Sequence, residues 1–216
     1  MNAEVPERGR PQGGTHGGGA PAGRPPGGTG RDTRARIQQV ALELFAEQGY
    51  EGTSLREIAE RLGVTKAALY YHFKSKEDIV RSFTEDHFAR VDALIAWAKE
   101  QPPSPGTRHE ILARYFTILI QGTDVFRFLE RNQAVLRSQD EGKQRFEQFR
   151  PRLSALVALM IGPDAPLRAQ VRATAALFSI STSHMFLSRE QEVDPDELRK
   201  LVLEAADDLT RDLGSW

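Results

Sequence analysis

Residues Thr53–Lys76 contain two short helical patterns joined at a single glycine, and this arrangement constrains the fold more than any other part of the sequence. Ser54 and Glu57 have the spacing of a capping box at the start of a helix. Apolar residues then recur at helical spacing, at Leu55, Ile58, Ala59 and Leu62. Gly63 supplies the backbone freedom for a sharp turn, and Thr65 can cap the next helix. The pattern predicts a helix-turn-helix.

The second of these helices has an apolar side and an open side. Leu69 and Phe73 would face inward. The open side would carry Lys66, Ala67, Tyr70, Tyr71 and His72. A helix with small residues at its start, followed by hydroxyls and positive charge, can enter the major groove of DNA. The formal net charge of the chain is only -1, but residues 64–76 hold three lysines and no acid. Any nucleic-acid binding is therefore local.

The string GVTKAALYYHFKSKEDIV closely resembles the DNA-binding signature of the TetR family of bacterial repressors. The resemblance extends from about Thr33 to Val80. Beyond Val80 it rests on length and on an all-helical pattern. It implies a homodimer that binds a palindromic operator in double-stranded DNA and responds to a small-molecule effector.

The matching family positions also imply a division of labour between base and phosphate contacts. Lys66 and Tyr70, with the small Ala67, would face base edges, which carry the sequence information. Thr65 could serve either purpose. Phosphate contacts would come from Thr53, Tyr71, His72, Lys74 and Lys76. An ordinary helical corner is the alternative interpretation of this stretch.

Composition limits the class of protein further. Cysteine is absent, which excludes disulfides and thiolate metal sites. No run approaches the ~18 consecutive apolar residues of a membrane span, and the first residues lack the apolar core of a signal peptide. We therefore expect a cytoplasmic protein with no membrane partner. The histidines have no metal-ligand spacing, and no phosphate loop or nucleophile elbow is present, so we expect no metal, no cofactor and no enzymatic activity.

The chain divides into three parts. Residues 1–31 are dominated by Gly and Pro, which predicts a disordered tail. The arginines of this tail could follow the DNA backbone or simply be solvated. Residues 32–80 would form the helix-turn-helix DNA-binding domain. Residues 81–216 would form a helical effector-binding and dimerisation domain.

Helical periodicity continues to the end of the sequence. The first helix is expected to start at Asp32 or Thr33. Ser75 would cap a long helix that runs to Gln101, about 40 Å at ~1.5 Å per residue, and joins the two domains as a rod. The run PPSPG at 102–106 predicts a loop. Further helices are predicted at 108–121, from 123 or 124 to 129, at 141–161 with an interruption at Pro151, at 166–187 and at 195–213. No segment alternates like a strand, so the predicted fold is all-α.

The region 81–216 also contains candidate effector-binding residues. Phe116, Phe126 and Phe128 could line a pocket, and His184 could hydrogen-bond a ligand there. Aromatic residues at helical spacing are more often core, and a histidine on an apolar helix is more often a core or interface residue whose hydrogen bonds are satisfied.

The two last predicted helices, 166–187 and 195–213, are apolar over more surface than one monomer core requires. Paired with their two-fold copies they would form a four-helix bundle. The candidate interface residues are Ala176, Ser179, Ser183, Leu201 and Ala205. The alternative is that these helices close the core of the monomer itself.

These observations favour a transcriptional regulator, and specifically a repressor that an effector releases from its operator. An effector would favour one tilt of the long helix. This tilt would change the separation of the two helices that enter the major groove, one from each protomer. The effector can shift the equilibrium between the two tilts only by its difference in affinity for them. An activator, an effector-independent architectural DNA-binding protein and a small helical enzyme are the alternatives.

Overall fold

The computed structural model describes residues 30–132, 139–187 and 193–213. Within these ranges every regular element is a helix, as the sequence predicts. The helices are α1 Gly30–Gln48, α2 Leu55–Leu62, α3 Lys66–His72, α4 Lys76–Lys99, α5 Pro105–Gln121, α6 Thr123–Arg131, α7 Gln139–Ile161, α8 Leu167–Leu187 and α9 Pro195–Thr210. The fold is all-α, with a helix-turn-helix in its N-terminal part. None of the described helices is both long enough and apolar enough to span a membrane.

The first apolar core lies under the helix-turn-helix. Ile37, Ala41 and Phe45 of α1 are buried against Ile58 of α2 and Leu69 of α3. The first half of α4 closes this core with Ile79, Val80 and Phe83. One further buried member, Phe128, comes from α6, far along the chain. The helix-turn-helix therefore packs directly on the region that follows α4.

The second core joins the far half of α4 to the C-terminal helices. Val91, Leu94 and Ile95 of α4 pack with Ile111 and Leu112 of α5. The other buried contributions come from α7, α8 and α9, including Leu156, Met160, Ala173, Leu177, Ile180, Val202 and Ala206. Helices α8 and α9 pack along each other more extensively than any other described pair. Helix α4 thus belongs to both cores and connects them.

Several helix starts differ from the prediction, that of α5 most of all. Helix α1 begins at Gly30, earlier than expected, with Asp32 in its positively polarised first turn. Helix α5 begins at Pro105, so the predicted loop at 102–106 is too long. The Ser104 hydroxyl accepts a 3.0 Å hydrogen bond from the Thr107 amide and caps α5. Proline at the first helical position has no amide to satisfy and a suitable fixed φ, so Pro105 starts a helix here.

Two further predictions concern Pro151 and the N-terminal tail. Pro151 lies inside α7, which is one helix from Gln139 to Ile161. The predicted disordered tail lies outside the described residues except for its last two positions.

Candidate nucleic-acid interface

The entrance to α2 has the predicted capping box. The Ser54 hydroxyl accepts a hydrogen bond from the Glu57 amide at 3.2 Å, and the Glu57 carboxylate accepts one from the Ser54 amide at 2.8 Å. At the other end Gly63 has φ of 73°, in the left-handed region that favours glycine. These two local features fix the direction in which the chain enters α3.

Helix α3 has the predicted inward and outward sides. The Thr65 hydroxyl caps it by accepting from the Ala68 amide at 3.1 Å. Leu69 is completely buried and Phe73 nearly so. The Arg34 guanidinium of α1 lies 4.6 Å from the centroid of the Phe73 ring. Because its inner face is held in this way, α3 presents a fixed outer face.

Most of the predicted DNA-contacting residues lie on that outer face. Lys66 and Ala67 are exposed, and Tyr71 is 80% exposed. Tyr70 and His72 are half-buried. The Lys66 Nζ lies 5.5 Å from the Tyr70 ring centroid, and the His72 ring meets the Tyr71 ring edge-on at 5.2 Å. The capping residue Thr65 is exposed as well. Base-edge and phosphate candidates therefore share one surface.

Thr53 is placed differently from the other candidates. Its side chain is 2% exposed, and its hydroxyl donates to the Gly49 carbonyl at 2.8 Å. Gln48 Nε2 donates to the same hydroxyl at 3.3 Å. The Thr53 hydroxyl closes the α1–α2 loop in this arrangement and does not lie on the outer face with Lys66.

The two lysines near the start of α4 also differ from each other. Lys74 is exposed, and its Nζ donates to the Tyr70 carbonyl at the end of α3 at 2.6 Å. Lys76 is half-buried, and its Nζ donates at 2.6 Å to the Tyr50 carbonyl, in the loop before α2. The Lys76 bond spans 26 positions of sequence, whereas the Lys74 bond spans four.

Two side-chain hydrogen bonds between α1 and α4 were not predicted from the sequence. Gln38 Nε2 donates to Ser82 Oγ at 2.7 Å and to Asp86 Oδ2 at 2.5 Å. Ser82 is completely buried. The only sequence signal was a serine on the apolar stripe of α4. These hydrogen bonds hold α1 against α4, and with it the helix-turn-helix that packs on α1.

The predicted effector residues separate into two groups. Phe116 is buried in the second core, and its ring meets the His184 ring at 5.6 Å. His184 Nε2 lies 2.7 Å from the Thr123 hydroxyl at the start of α6. Phe126 is 45% exposed and lies edge-on to His87 of α4 at 5.1 Å. These aromatic residues surround the junction of α5 and α6.

Phe128 corrects the prediction that placed it with Phe116 and Phe126. It is 6% exposed in the first core, stacked on Phe45 at 5.0 Å and close to Tyr50 at 6.1 Å. Residues two positions apart on a helix point in different directions. Phe126 and Phe128 therefore lie on different faces of α6, and only Phe128 reaches the helix-turn-helix.

His87 is a functional candidate that the sequence interpretation missed. Its side chain is buried, and burial, aided by the nearby cations of Arg90 and Arg152, lowers its pKa to about 4. Burial, with the nearby Arg127, also lowers the pKa of His184. In the described part of the chain the Nδ1 atoms of both histidines are buried without a hydrogen-bond partner. Two neutral imidazoles thus flank the α5–α6 junction.

The predicted interface residues are also divided. Ala176 is completely buried in the second core, so its assignment to a dimer interface was wrong. Ser179 and Ser183 are half-buried, and the Ser179 hydroxyl donates to the Ala176 carbonyl. Leu201 is 53% exposed, and Ala205 is exposed beside it. Helix α8 also has exposed large apolar residues, at Leu167, Val171, Phe178, Met185, Phe186 and Leu187.

The capped helices α2 and α3, with their exposed basic face, define a helix-turn-helix protein. Residues 37–83 match the family model described as bacterial regulatory proteins of the tetR family. These residues are a DNA-binding domain of the TetR family.

Individual relatives agree with this assignment. The chain is 49% identical over 93 residues to the HTH-type transcriptional regulator AcrR of Shigella flexneri, covering 43% of this chain and 42% of AcrR. It is 38% identical over 80 residues to the HTH-type transcriptional repressor KstR2 of Rhodococcus jostii, covering 35% of this chain and 38% of KstR2. These matches span about two fifths of the curated relatives.

The similarity in structure extends further along the chain. A crystal structure of a transcriptional regulator from Aquifex aeolicus is 25% identical, with a TM-score of 0.63, and the match covers 80% of this chain and 96% of that one. The arrangement of the C-terminal helices is thus shared with a solved protein, although the sequence there has diverged.

Proposed function

We propose that this protein is a homodimeric transcriptional regulator that binds a palindromic operator through α3 and is released by a small-molecule effector. The observation that carries the proposal is the outer face of α3. That face combines Lys66, Ala67 and Tyr71 on a helix whose other side is buried, in a stretch without acidic residues. Such a helix can enter the major groove without electrostatic repulsion from the phosphates.

In this proposal the exposed face of α3 is divided between bases and phosphates. Lys66 and Tyr70 meet base edges, and the small Ala67 allows the helix to approach closely. Tyr71, His72 and Lys74 bind phosphates on either side of the groove, which position the helix without specifying sequence. The family resemblance supports the same division, and repression is favoured because KstR2, a relative, is a repressor.

The effector is proposed to bind at the α5–α6 junction. Phe126 offers exposed apolar surface there, and Phe116 lies buried against His184. His87 and His184 each have a buried nitrogen without a hydrogen-bond partner in the described part of the chain. Because a buried polar atom without a partner costs free energy, a ligand that hydrogen-bonds these imidazoles would be favoured.

Two elements can transmit the effect of such a ligand to the helix-turn-helix. Helix α4 belongs to both cores, and α6 inserts Phe128 into the first core. A ligand that binds one arrangement of these helices more tightly shifts the population toward it. The coupling expected of such a system is about 1–3 kcal/mol, or roughly 5–150-fold in DNA affinity.

Dimerisation is proposed to use the outer sides of α8 and α9. Phe178, Met185 and Phe186 on α8 and Leu201 on α9 are large apolar residues with roughly half or more of their surface exposed. An exposed apolar patch of this kind typically marks an interaction site. A two-fold pairing of these helices would also place two α3 helices on the two half-sites of a palindrome.

The test is selection of DNA from a random-sequence pool by the purified protein. We expect enrichment of a palindrome whose half-sites lie about one helical turn or more apart. Recovery of DNA without any enriched sequence would contradict operator recognition and favour an architectural binder. Enrichment of a single half-site would contradict the dimer.

A substitution at Lys66 then tests the division of contacts. Lys66→Ala should cost about 1–3 kcal/mol on the selected operator and relax the preference at one position of each half-site. Lys74→Ala should weaken binding to operator and random duplexes alike. An equal loss on both duplexes for Lys66→Ala, measured by fluorescence anisotropy, would refute a base contact.

A further inference from the structure

Gln38 of α1 is joined to α4 through both hydrogens of its side-chain amide. Its Nε2 atom donates to Ser82 Oγ at 2.7 Å and to Asp86 Oδ2 at 2.5 Å. The Ser82 hydroxyl donates its own proton to the Ile79 carbonyl at 2.6 Å, so it can only accept from Gln38. An ionised carboxylate also only accepts. Both partners therefore require the amide nitrogen of Gln38 and not its oxygen.

These hydrogen bonds extend past the apolar contact between α1 and α4. Phe83 is the last described residue of α4 in the first core, and Val91 is the first one in the second core. Asp86 lies between them and is half-buried, as Gln38 is, whereas Ser82 is completely buried. Gln38, Ser82 and Asp86, named here the Gln38 cluster, thus hold α1 to a part of α4 that leads toward the second core.

The Gln38 cluster also restricts the angle between the two helices. Ser82 and Asp86 are four positions apart and lie on successive turns of α4. Apolar packing has no preferred direction, but a hydrogen bond weakens steeply when its angle departs from the optimum. The ion pair of Arg34 with Glu85 adds little to this restriction, because it spans 3.7 Å and the Glu85 side chain is 58% exposed. Two bonds from one amide therefore favour one angle of α1 against α4.

We propose that Gln38 is a positioning residue for operator recognition, which fixes the angle between the helix-turn-helix and α4. Helices α2 and α3 pack on α1 in the first core, so they turn with it. In the dimer this angle sets the separation of the two α3 helices, and the inference therefore rests on the proposed function. Asp86 directly precedes His87, which lies at the proposed effector site. An effector that shifts α4 there acts on the Gln38 cluster.

Single and paired half-sites distinguish this role from a purely structural one. A duplex with one half-site tests only the outer face of α3, whereas a palindrome also tests the separation of two α3 helices. Affinity is measured by fluorescence anisotropy for both duplexes, and for palindromes whose centre is one or two base pairs longer or shorter. Each base pair changes the separation of the half-sites by about 3.4 Å.

Gln38→Met removes both donors and keeps an unbranched side chain of similar length. It should bind the single half-site as tightly as the wild type and the selected palindrome about tenfold more weakly, the loss expected for one charged hydrogen bond. Its preference for the selected spacing over the altered spacings should fall as well. The matched control is Gln39→Met, because the Gln39 amide donates to Glu43 on the next turn of α1, at 2.9 Å, and this bond joins no two helices. This control should behave as the wild type on every duplex.

Two results for Gln38→Met would overturn the proposal. Equal losses on the single half-site and on the palindrome would show damage to the DNA-binding domain itself and not to its angle. Wild-type affinity together with wild-type spacing preference would show that the Gln38 cluster does not position α3.

An exchange of the two groups provides a second test. Gln38→Glu brings two carboxylates together, and their repulsion should reduce palindrome affinity further than Gln38→Met does. In Gln38→Glu/Asp86→Asn the asparagine amide can donate to the new carboxylate, and the net charge equals that of the wild type. The double variant should recover affinity and spacing preference. A double variant that binds the palindrome no better than Gln38→Glu would contradict the proposal.

Circular dichroism at the assay temperature verifies that each variant is folded. If Gln38→Met does not fold, Asp86→Ala decides by the same comparison, because it removes one acceptor from a half-buried position of α4. A wild-type spacing preference in that variant would refute the role of the Gln38 cluster. Failure of the proposed function would be seen separately, as a wild-type protein that binds no palindrome more tightly than random DNA.

Discussion

His87 shows how much the environment of one residue can change its chemistry. It is 9% exposed on the inner side of α4, and its pKa is lowered to about 4 by burial and by the cations of Arg90 and Arg152. The imidazole is therefore neutral in the folded protein at pH values where an unfolded chain already binds a proton. Folding stability must then depend on pH through this residue.

We expect the free energy of unfolding to fall with decreasing pH between 6.5, the ordinary pKa of histidine, and about 4. Over this interval the unfolded state binds a proton that the folded state does not, so acid favours unfolding. The contribution of His87 between pH 7 and pH 5 should be about 2 kcal/mol per protomer. His87→Phe, compared with the wild type by urea denaturation at both pH values, should remove this part. An unchanged pH dependence in the variant would contradict the neutral buried imidazole.

Among the helices, α6 contacts both the first core, under the helix-turn-helix, and the proposed effector site beside His87. Phe128 is inserted between Phe45 and Phe83 in the first core, while Phe126 lies against His87 on a different face. Helix α6 is short, from Thr123 to Arg131, yet it connects the proposed effector site with the helix-turn-helix. Its displacement would disturb both.

Truncation of the two phenylalanines should therefore have unequal effects. Phe128→Ala removes a ring that is 6% exposed and should reduce the free energy of unfolding by about 3–5 kcal/mol. Phe126→Ala removes a ring that is 45% exposed and should cost at least about 2 kcal/mol less, because much of its surface is already in water. Urea denaturation of the two variants measures the difference. Equal losses would mean that Phe128 is not a core residue of the helix-turn-helix.

For the whole molecule, the proposed dimer depends on the outer sides of α8 and α9, which would pair two protomers and their α3 helices. Leu201 is 53% exposed, whereas Ala176 is completely buried between the same helices. A charge is costly wherever it is buried, and within one protomer only Ala176 is buried. Leu201 would be covered only by a second protomer.

Leu201→Asp should therefore give a folded monomer with much weaker operator binding, measured by light scattering and anisotropy. Ala176→Asp should unfold the protomer itself, because its charge enters the second core. Ala96→Asp, which places a charge on an exposed position of α4, is the control and should remain dimeric. A dimeric Leu201→Asp variant with native helicity would remove Leu201 from the interface.

The sequence by itself determined the features that depend on neighbours along the chain. The capping box of Ser54 and Glu57, the left-handed Gly63 and the inward Leu69 all require only local spacing, and the structure has each of them. The outer face of α3 follows from the same periodicity. The resemblance to the TetR family rests on these same residues, which lie close together in the sequence.

Only the tertiary structure decided which residues meet across long stretches of sequence. Helical periodicity places Phe128 and Ala176 on apolar faces of their helices. It does not show which core buries them, because an apolar face can pack in the core of a protomer or in an interface. The Lys76 ammonium and the Tyr50 carbonyl are 26 positions apart, and their bond exists because packing of α1 on α4 brings them together. The neutral state of His87 likewise depends on burial that no local pattern specifies.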